Sequence, residues 1–578
     1  MQGQLFTQDF LTRGILETPA HQALDDAALA GLGAALAVIL AGRTAQSTLN
    51  EAQTESEIIA PVLLALGWED TLPQVNLSGK RREDVPDWLL FANPAAKAAA
   101  LPLKDDQRYR HGLALLEAKR WLRPLDRGDA AEVTDPDAPS SQMLRYLSRA
   151  DVVSDRAVKW GVLTNGAVWR LYWQDARSRS EDFFEIDLTA ALELPGHQRH
   201  IEDFAPAHAL RLFALFFGRA AFLPQDWDST GRSFHAYALN EARLYEERVS
   251  QDLGARVFAD VFPQLADALR RDDLDARTHT VGYGQFTRQQ FTPDYLEEVR
   301  EAALVMLYRL LFLFYAEDRH LLPVHDPRYA PYSVRRIREE VRDKVDAGAS
   351  FSSTMPRIWL ALRGVFGLIN KGDDDIGMPA YNGGLFNRAR APLLERTDVP
   401  DKVMAPIIDA LSRRTEDLLR GWINYRDLAV AHLGSIYERL LEYSLVHRVQ
   451  AQDDYKDKAE VDRIEATPSS FARKVSGSYY THDDLVRLVL RESVGRLVAT
   501  RVQRFEAQLK KWARKASLNP PEWEQLDALD PASSILELKV CDPAMGSGHF
   551  LVALVDELAD RVLEAMAAAT LLVGAQPW

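Results

Sequence analysis

Apolar and polar positions change rhythm several times along the chain. Between residues 50 and 67, Ile58, Ile59, Val62, Leu63 and Leu66 recur at helical spacing, which predicts an amphipathic helix that stops at Gly67. Short apolar runs at 85–91, 113–116, 160–164 and 168–173 are strand-like, and Asn165-Gly166 between the last two is a strong hairpin signal. Residues 124–141 are rich in Asp, Pro, Gly and Ser and predict a loop, followed by a helical pattern over 142–150. Helix, strands, helix, hairpin is the order of a compact mixed α/β domain.

The rhythm then lengthens. Segments 208–222, 295–320 and 430–450 are heavy in Leu, Phe, Tyr and Arg, and Leu304, Leu307, Leu311 and Phe314 share one helical face. A helical domain is expected here, with 452–475 as a polar linker and a third region opening near Gly477. Near the end, residues 535–541 alternate like a strand. They lead into Asp542-Pro543-Ala544-Met545-Gly546-Ser547-Gly548-His549-Phe550, and then into a helical pattern through Leu551, Val552, Val555 and Leu558. Strand, glycine turn, helix is the opening unit of a doubly wound domain, and glycines there let backbone approach a ligand closely.

Composition narrows the class. The 578 residues are 47% hydrophobic and 26% charged, an ordinary globular mixture. A net charge of −15 means that any nucleic-acid contact relies on local basic patches. One such patch lies between Lys80 and Arg123, where ten Lys or Arg face six Asp or Glu. A solvated basic face has the same composition. The single cysteine, Cys541, excludes an intramolecular disulfide and a cysteine-rich zinc site. The N-terminus shows no signal-peptide pattern, and the longest uncharged apolar run, 27–42, is shorter than the ~20 residues of a membrane span. A cytoplasmic protein without membrane partners is the expectation.

Chemistry concentrates first at VPDWLLF and LALLEAKRW. Asp87 opens one strand. Glu117 and Lys119 are two residues apart near the end of another and so share a face. E-x-K alone recurs by chance; its weight comes from Pro86-Asp87 on the preceding strand and from the helix-first order. Two carboxylates and a lysine suit phosphodiester hydrolysis. Asp87 and Glu117 would hold Mg²⁺ through oxygen ligands, and Lys119 would position water and offset phosphate charge. On the preceding helix, either Glu51 or Glu55 would add a ligand. Gln142 and Tyr146, one turn apart, would face the same site.

With NEAQTESEIIAPVLLALGW, QMLRY and KWGVLTNGAVWRLY, these stretches resemble the PD-(D/E)xK nuclease domain at the front of type IIG restriction-modification enzymes. The resemblance implies a restriction-endonuclease-like fold with Asp87, Glu117 and Lys119 as the catalytic set. The string DPAMGSGHFL looks like the S-adenosylmethionine motif of N6-adenine DNA methyltransferases, and GSYYTHDDLVRLVL resembles their upstream motif, with His482 where the family has proline. By resemblance, Asp542, Ala544, Gly546 and Gly548 line the cofactor, with Tyr480 and Thr481 nearby. LYRLLFLFYAEDRHLLP, YNGGLF and HLGSIYERLLEYSL look like the helical connector of the same enzymes.

The resemblance therefore implies a multidomain α/β chain. A nuclease domain spans 1–195, a helical connector 196–460, and 461–578 begin a Rossmann-like methyltransferase domain. The Asn/Asp-Pro-Pro-aromatic motif that holds a flipped adenine is not found after the glycine turn. Asn519-Pro520-Pro521 precedes that turn and has Glu522 at the aromatic position, so it is a decoy. The implied activity is Mg²⁺-dependent cleavage of double-stranded DNA in bacterial defence, with adenine methylation incomplete in this chain. The implied partners are DNA and the remaining methyltransferase and target-recognition parts, or other defence subunits. Two alternatives have different expectations: a methyltransferase subunit of an anti-phage system whose nuclease-like domain binds without cutting, and a non-enzymatic DNA-binding scaffold.

Overall fold

The computed structural model describes residues 3–43, 48–77, 84–127, 138–176, 178–194, 204–281, 292–381, 384–414, 421–428, 430–441, 443–454, 457–468, 481, 483–512, 519–545 and 548–573. Two compact units emerge. The first comprises Met1–Tyr245, His482–Ala544 and Phe550–Trp578, and the second Glu246–Thr481 with Met545–His549. The sequence expectation ended the first domain at residue 195, but the Pro206–Phe217 helix and the residues up to Ala242 share the first unit's core.

The first unit is built on a six-stranded sheet in sequential order: β1 (Thr71–Pro73), β2 (Trp88–Phe91), β3 (Gly112–Ala118), β4 (Trp160–Thr164), β5 (Val168–Trp173) and β6 (Phe183–Asp187). All neighbours are antiparallel except β3 and β4, which run parallel. A parallel pair needs a crossover, and the Pro139–Val153 helix supplies it. Apolar side chains on both faces of the sheet are buried, which is why its strands are apolar runs rather than strict alternations. One core gathers Ile58, Ile59, Val62, Leu116, Trp169, Phe213 and Phe216. The other gathers Leu89, Leu115, Met143, Leu147, Leu163 and Tyr172.

Asn165-Gly166 forms the expected β4–β5 turn. Asn165 Oδ1 accepts the backbone N–H groups of Ala167 and Val168, at 3.1 and 2.8 Å, and Gly166 has φ +85°. A Cβ on Gly166 would meet the Trp121 ring at 2.9 Å and the Thr54 methyl at 3.2 Å. Gly166→Ala is therefore expected to lower unfolding free energy by about 1–3 kcal/mol in urea titrations, from left-handed strain plus crowding.

The second unit is mainly helical. The Pro293–Asp318 helix is buried along most of its length, and Leu304, Leu307, Leu311 and Phe314 lie in its core-facing set as expected. The segment 430–450, expected as one helix, divides into a helix at Val430–Leu441 and a strand, β7 (Tyr443–Asp454). β7 pairs with β8 (Asp457–Pro468) in a long antiparallel ribbon. The 452–475 linker expectation is corrected over these residues. Arg448-Val449-Gln450-Ala451-Gln452 alternates at period two, and the cross-strand partner from Asp457 onward favours the extended state.

The third region is also corrected. Residues 535–541 do not form a strand. The Pro531–Leu536 helix, with Asp530 as its N-cap and Pro531 in its first turn, takes Ile535 and Leu536, and the chain after it is a turn and irregular. No strand is described anywhere in 483–573, so an extended segment would have no neighbour to satisfy its backbone. The opening unit of a doubly wound sheet is thus not formed among the described residues. Instead, Val486, Leu490, Val494, Val498, Ile535 and Leu554 make a small helical core. Asn519-Pro520-Pro521 begins the Pro520–Asp527 helix through a capping box with Glu522. Among the described residues no helix is long and apolar enough to cross a membrane.

Candidate nuclease-like acid cluster

The register Trp88↔Leu116 carries Asp87 to a position beside Glu117. Asp87 Oδ2 accepts the Ala118 backbone N–H at 2.7 Å, which fixes the carboxylate at the strand end. Lys119 follows β3, and its backbone N–H donates to Thr164 O at 2.8 Å, so it extends the parallel pairing with β4. With Glu117 and Lys119 on one face, Lys119 Nζ donates to Glu117 Oε1 at 2.6 Å. Both side chains are buried, at 3% and 4% exposure.

The acids of the preceding helix arrive by a different device. Asn50 and Gln53 form a capping box that starts the helix at Glu51. Thr54 is fully buried; its Oγ1 accepts the Trp121 backbone N–H at 2.9 Å and donates to Asn50 O at 2.8 Å. This ties the helix to the chain two residues beyond Lys119. The helix then widens into a π turn at Glu55–Ile59, where the Ala60 N–H bonds to Glu55 O. Pro61 has no N–H to give to Glu57 O, which is a physical reason for the irregular turn. Glu51, Glu55 and Asp87 each offer an oxygen within 4.8 Å of the others. Glu51 Oε1 also lies 3.8 Å from Lys119 Nζ.

The acidic trio that gathers is thus Glu51, Glu55 and Asp87, with Glu117 adjoining it through Asp87 and Lys119. Both helical glutamates join, where the sequence left a choice between them. Gln142 Nε2 donates to Tyr146 Oη at 2.8 Å. The buried Tyr146 hydroxyl is pushed up to about 12, by burial first and then by the negative charge of Glu117. Gln142 therefore touches Tyr146, whose hydroxyl senses Glu117.

Four carboxylates surround one ammonium, and the electrostatics follow from that excess. Burial, reinforced by Asp87, pushes Glu117 up to about 8 against the opposing pull of Lys119. Burial pushes Asp87 up to about 6, although the Ala118 N–H and Lys119 favour its charge. Burial, then Asp87 and Glu51, push Glu55 up to about 7. Burial alone would pull Lys119 down, but Glu117 and Glu51 outweigh it and the net direction is up. Lys119 stays charged, and Glu117, Glu55 and Asp87 each take up a proton more readily than an exposed carboxylate does.

A divalent cation fits this donor set. Glu117 Oε1 is taken by Lys119, and the Glu117 carboxyl, raised far enough to keep a proton, also shares a hydrogen bond with Asp87. Buried carboxyls that share a proton, with Glu51 and Glu55 oxygens within 4.8 Å of Asp87, make an all-oxygen donor set, which is what Mg²⁺ prefers. The linkage gives a pH expectation. Carboxyls with raised folded values bind protons more tightly folded than unfolded, so their contribution is full below the unfolded range near ~4.3 and is lost as pH rises. Melting temperature without cation should therefore fall between the unfolded range and about pH 8, through the values of Asp87, Glu55 and Glu117. Added Mg²⁺ should offset most of that fall. Differential scanning fluorimetry across pH, with EDTA or Mg²⁺, measures it; a cation-independent profile would count against a cation site.

Some contributors were not anticipated. Thr54 looked like an ordinary helix residue. Asp84, at 1% exposure, pairs with Arg149 and, at 3.2 Å, with Arg145 of the 139–153 helix. The i,i+4 spacing of those arginines was legible; their acidic partner was hidden in a charged run.

Of the residues expected at the methyl-donor turn, Gly546 and Tyr480 lie outside the described residues. Asp542 Oδ1 accepts the Ala544 N–H at 2.9 Å in an exposed turn. Gly548, at φ +82°, donates its N–H to Met545 O at 2.8 Å, and open space surrounds its Cβ position. Thr481 is half-buried in the second unit.

No family model matches this chain, and no solved structure matches it. A curated protein of Methanocaldococcus jannaschii, named "Putative type II restriction enzyme and methyltransferase", is 20% identical over 547 residues, covering 88% of this chain. The chain spans 39% of that relative's length. The sheet with its helical companions is consistent with a multidomain α/β protein.

Proposed function

We propose that the chain carries a Mg²⁺-dependent endonuclease centre for double-stranded DNA, as the front part of a restriction-modification enzyme in defence against foreign DNA. The observation that carries this reading is the gathering of Glu51, Glu55 and Asp87 oxygens within 4.8 Å of one another, with the buried Lys119–Glu117 pair beside them. Asp87 and Glu117 would hold the cation, with Glu55 and Glu51 as further oxygen donors. The cation, when bound, supplies Lewis-acid stabilisation of phosphate charge. Asp87 is locked by the Ala118 N–H, so its oxygens need little reorganisation. Lys119, held by Glu117, offsets charge that builds on the phosphate. Tyr146 and Gln142 brace the Glu117 side.

The second half of the proposal places S-adenosylmethionine at the glycine turn, with Asp542, Ala544, Gly546 and Gly548 against it and Tyr480 and Thr481 nearby, for N6-adenine methylation. The remaining methyltransferase and base-reading parts would be needed for that step.

The test is incubation of supercoiled, unmethylated plasmid with the purified chain, together with the remaining enzyme parts where these are needed. Nicking or linearisation with Mg²⁺ and none with EDTA is expected. Retarded mobility without strand breaks under every cation condition would favour a binding role instead.

A further inference from the structure

The 139–153 helix does more than cross over the sheet. Its Tyr146 hydroxyl senses Glu117. Its Arg145 and Arg149 grip Asp84, three residues before Asp87. Its Ser148 Oγ accepts from Arg179 Nη1 at 3.1 Å. Arg179, in the β5–β6 connection, is buried at 6% exposure. Its two ion-pair partners both lie on the His549–Val573 helix: Asp560 Oδ2 at 3.2 Å from Nε, and Glu564 Oε1 at 2.9 Å from Nη2. Glu564 is held in turn by Arg561 at 2.9 Å, and Leu563 packs against the core that contains Met143 and Leu147.

We propose that Arg179 is a positioning residue: it clasps the 549–573 helix to the 139–153 helix, so that the acid cluster keeps its cation-binding geometry only while the 549–573 helix is docked. This rests on reading the cluster as a cation site. A buried ion pair adds little net stability over apolar packing, and its best-attested use is to fix register. Here the planar guanidinium spans two elements and fixes their register: Ser148 on one side, two carboxylates on the other. Displacement of the helix would leave Arg179 buried without its acids. The 139–153 helix would then settle differently, and its grips next to Asp87 and Glu117 would move with it.

The experiment uses the full chain. Asp560→Asn with Glu564→Gln removes both charges at nearly constant shape. Amide exchange of peptides within 549–565 should accelerate about tenfold, and Mn²⁺ affinity at the acid cluster, read by calorimetry, should weaken about tenfold, within the usual range of site coupling. Peptides of the β4–β5 hairpin should exchange as in wild type, which shows that the sheet remains folded. Unchanged exchange in this variant would overturn the clasp. Faster exchange with unchanged Mn²⁺ affinity would overturn its positioning role. A wild-type protein that binds Mn²⁺ in this coupled way yet cuts no DNA removes the nuclease reading and leaves the clasp standing.

Discussion

Lys119→Ala should lower the Mg²⁺-dependent cleavage rate by about 100-fold or more, the scale of losing one preorganised charge donor at a reacting phosphate. The ammonium is held at 2.6 Å from Glu117 Oε1 inside a buried site, so solvent cannot substitute for it. Breaking a buried pair often costs about 3–5 kcal/mol, because a charge is left uncompensated. Here the cost should depend on pH. Glu117 is already pushed up to about 8, so at pH 6 it can take a proton instead of remaining a bare anion. The variant should therefore be nearly as stable as wild type at pH 6 and clearly less stable at pH 9, and it should be inactive at both. Initial rates of plasmid nicking, paired with urea titrations at the two pH values, measure this. Asp87→Ala should show the same loss of rate. A Lys119→Ala protein that is folded at pH 6 and cuts at wild-type speed would remove the lysine from the mechanism.

The second large effect is on cation binding itself. At cation concentrations about 100 times the dissociation constant, stability should rise by roughly 2.7 kcal/mol, visible as a shift in melting temperature. Glu55→Gln should weaken the affinity by about tenfold or more, on the scale of losing a supporting group at a metal site. Glu51→Gln should do less, because Glu51 is 42% exposed and lies 3.8 Å from Lys119. Calorimetric titration with Mn²⁺ and Mg²⁺ separates the two. Equal and negligible effects would place the cation elsewhere.

Much of the cluster was legible because its logic is local. Asp87 at a strand start, Glu117 and Lys119 at period two, and Asn165-Gly166 between strands all declare themselves within a few residues. The helix acids were legible as a pair, but their shared involvement depends on the Thr54 hydroxyl reaching the Trp121 N–H, 67 positions away. No spacing rule reveals that contact. The Asp84 pairing failed to show for a similar reason, since its partners sit on a helix that follows two strands. The β7–β8 ribbon and the 535–541 segment show the opposite error. In one, a short alternating run from Arg448 to Gln452 sits next to a helix, and only the partner strand, by supplying hydrogen bonds, makes the whole segment extended. In the other, alternation was over-read, since among the described residues no strand lies beside it and the Asp530-Pro531 start favours a helix.

The most direct measurement of the central claim is anomalous diffraction from crystals of the chain soaked in Mn²⁺. The account expects a peak bound by carboxylate oxygens of Asp87 and Glu117, with Glu55 or Glu51 completing the set and Lys119 still on Glu117. Crystals that show Mn²⁺ only at other surface acids, with Glu117 still hydrogen-bonded to Asp87, would contradict it.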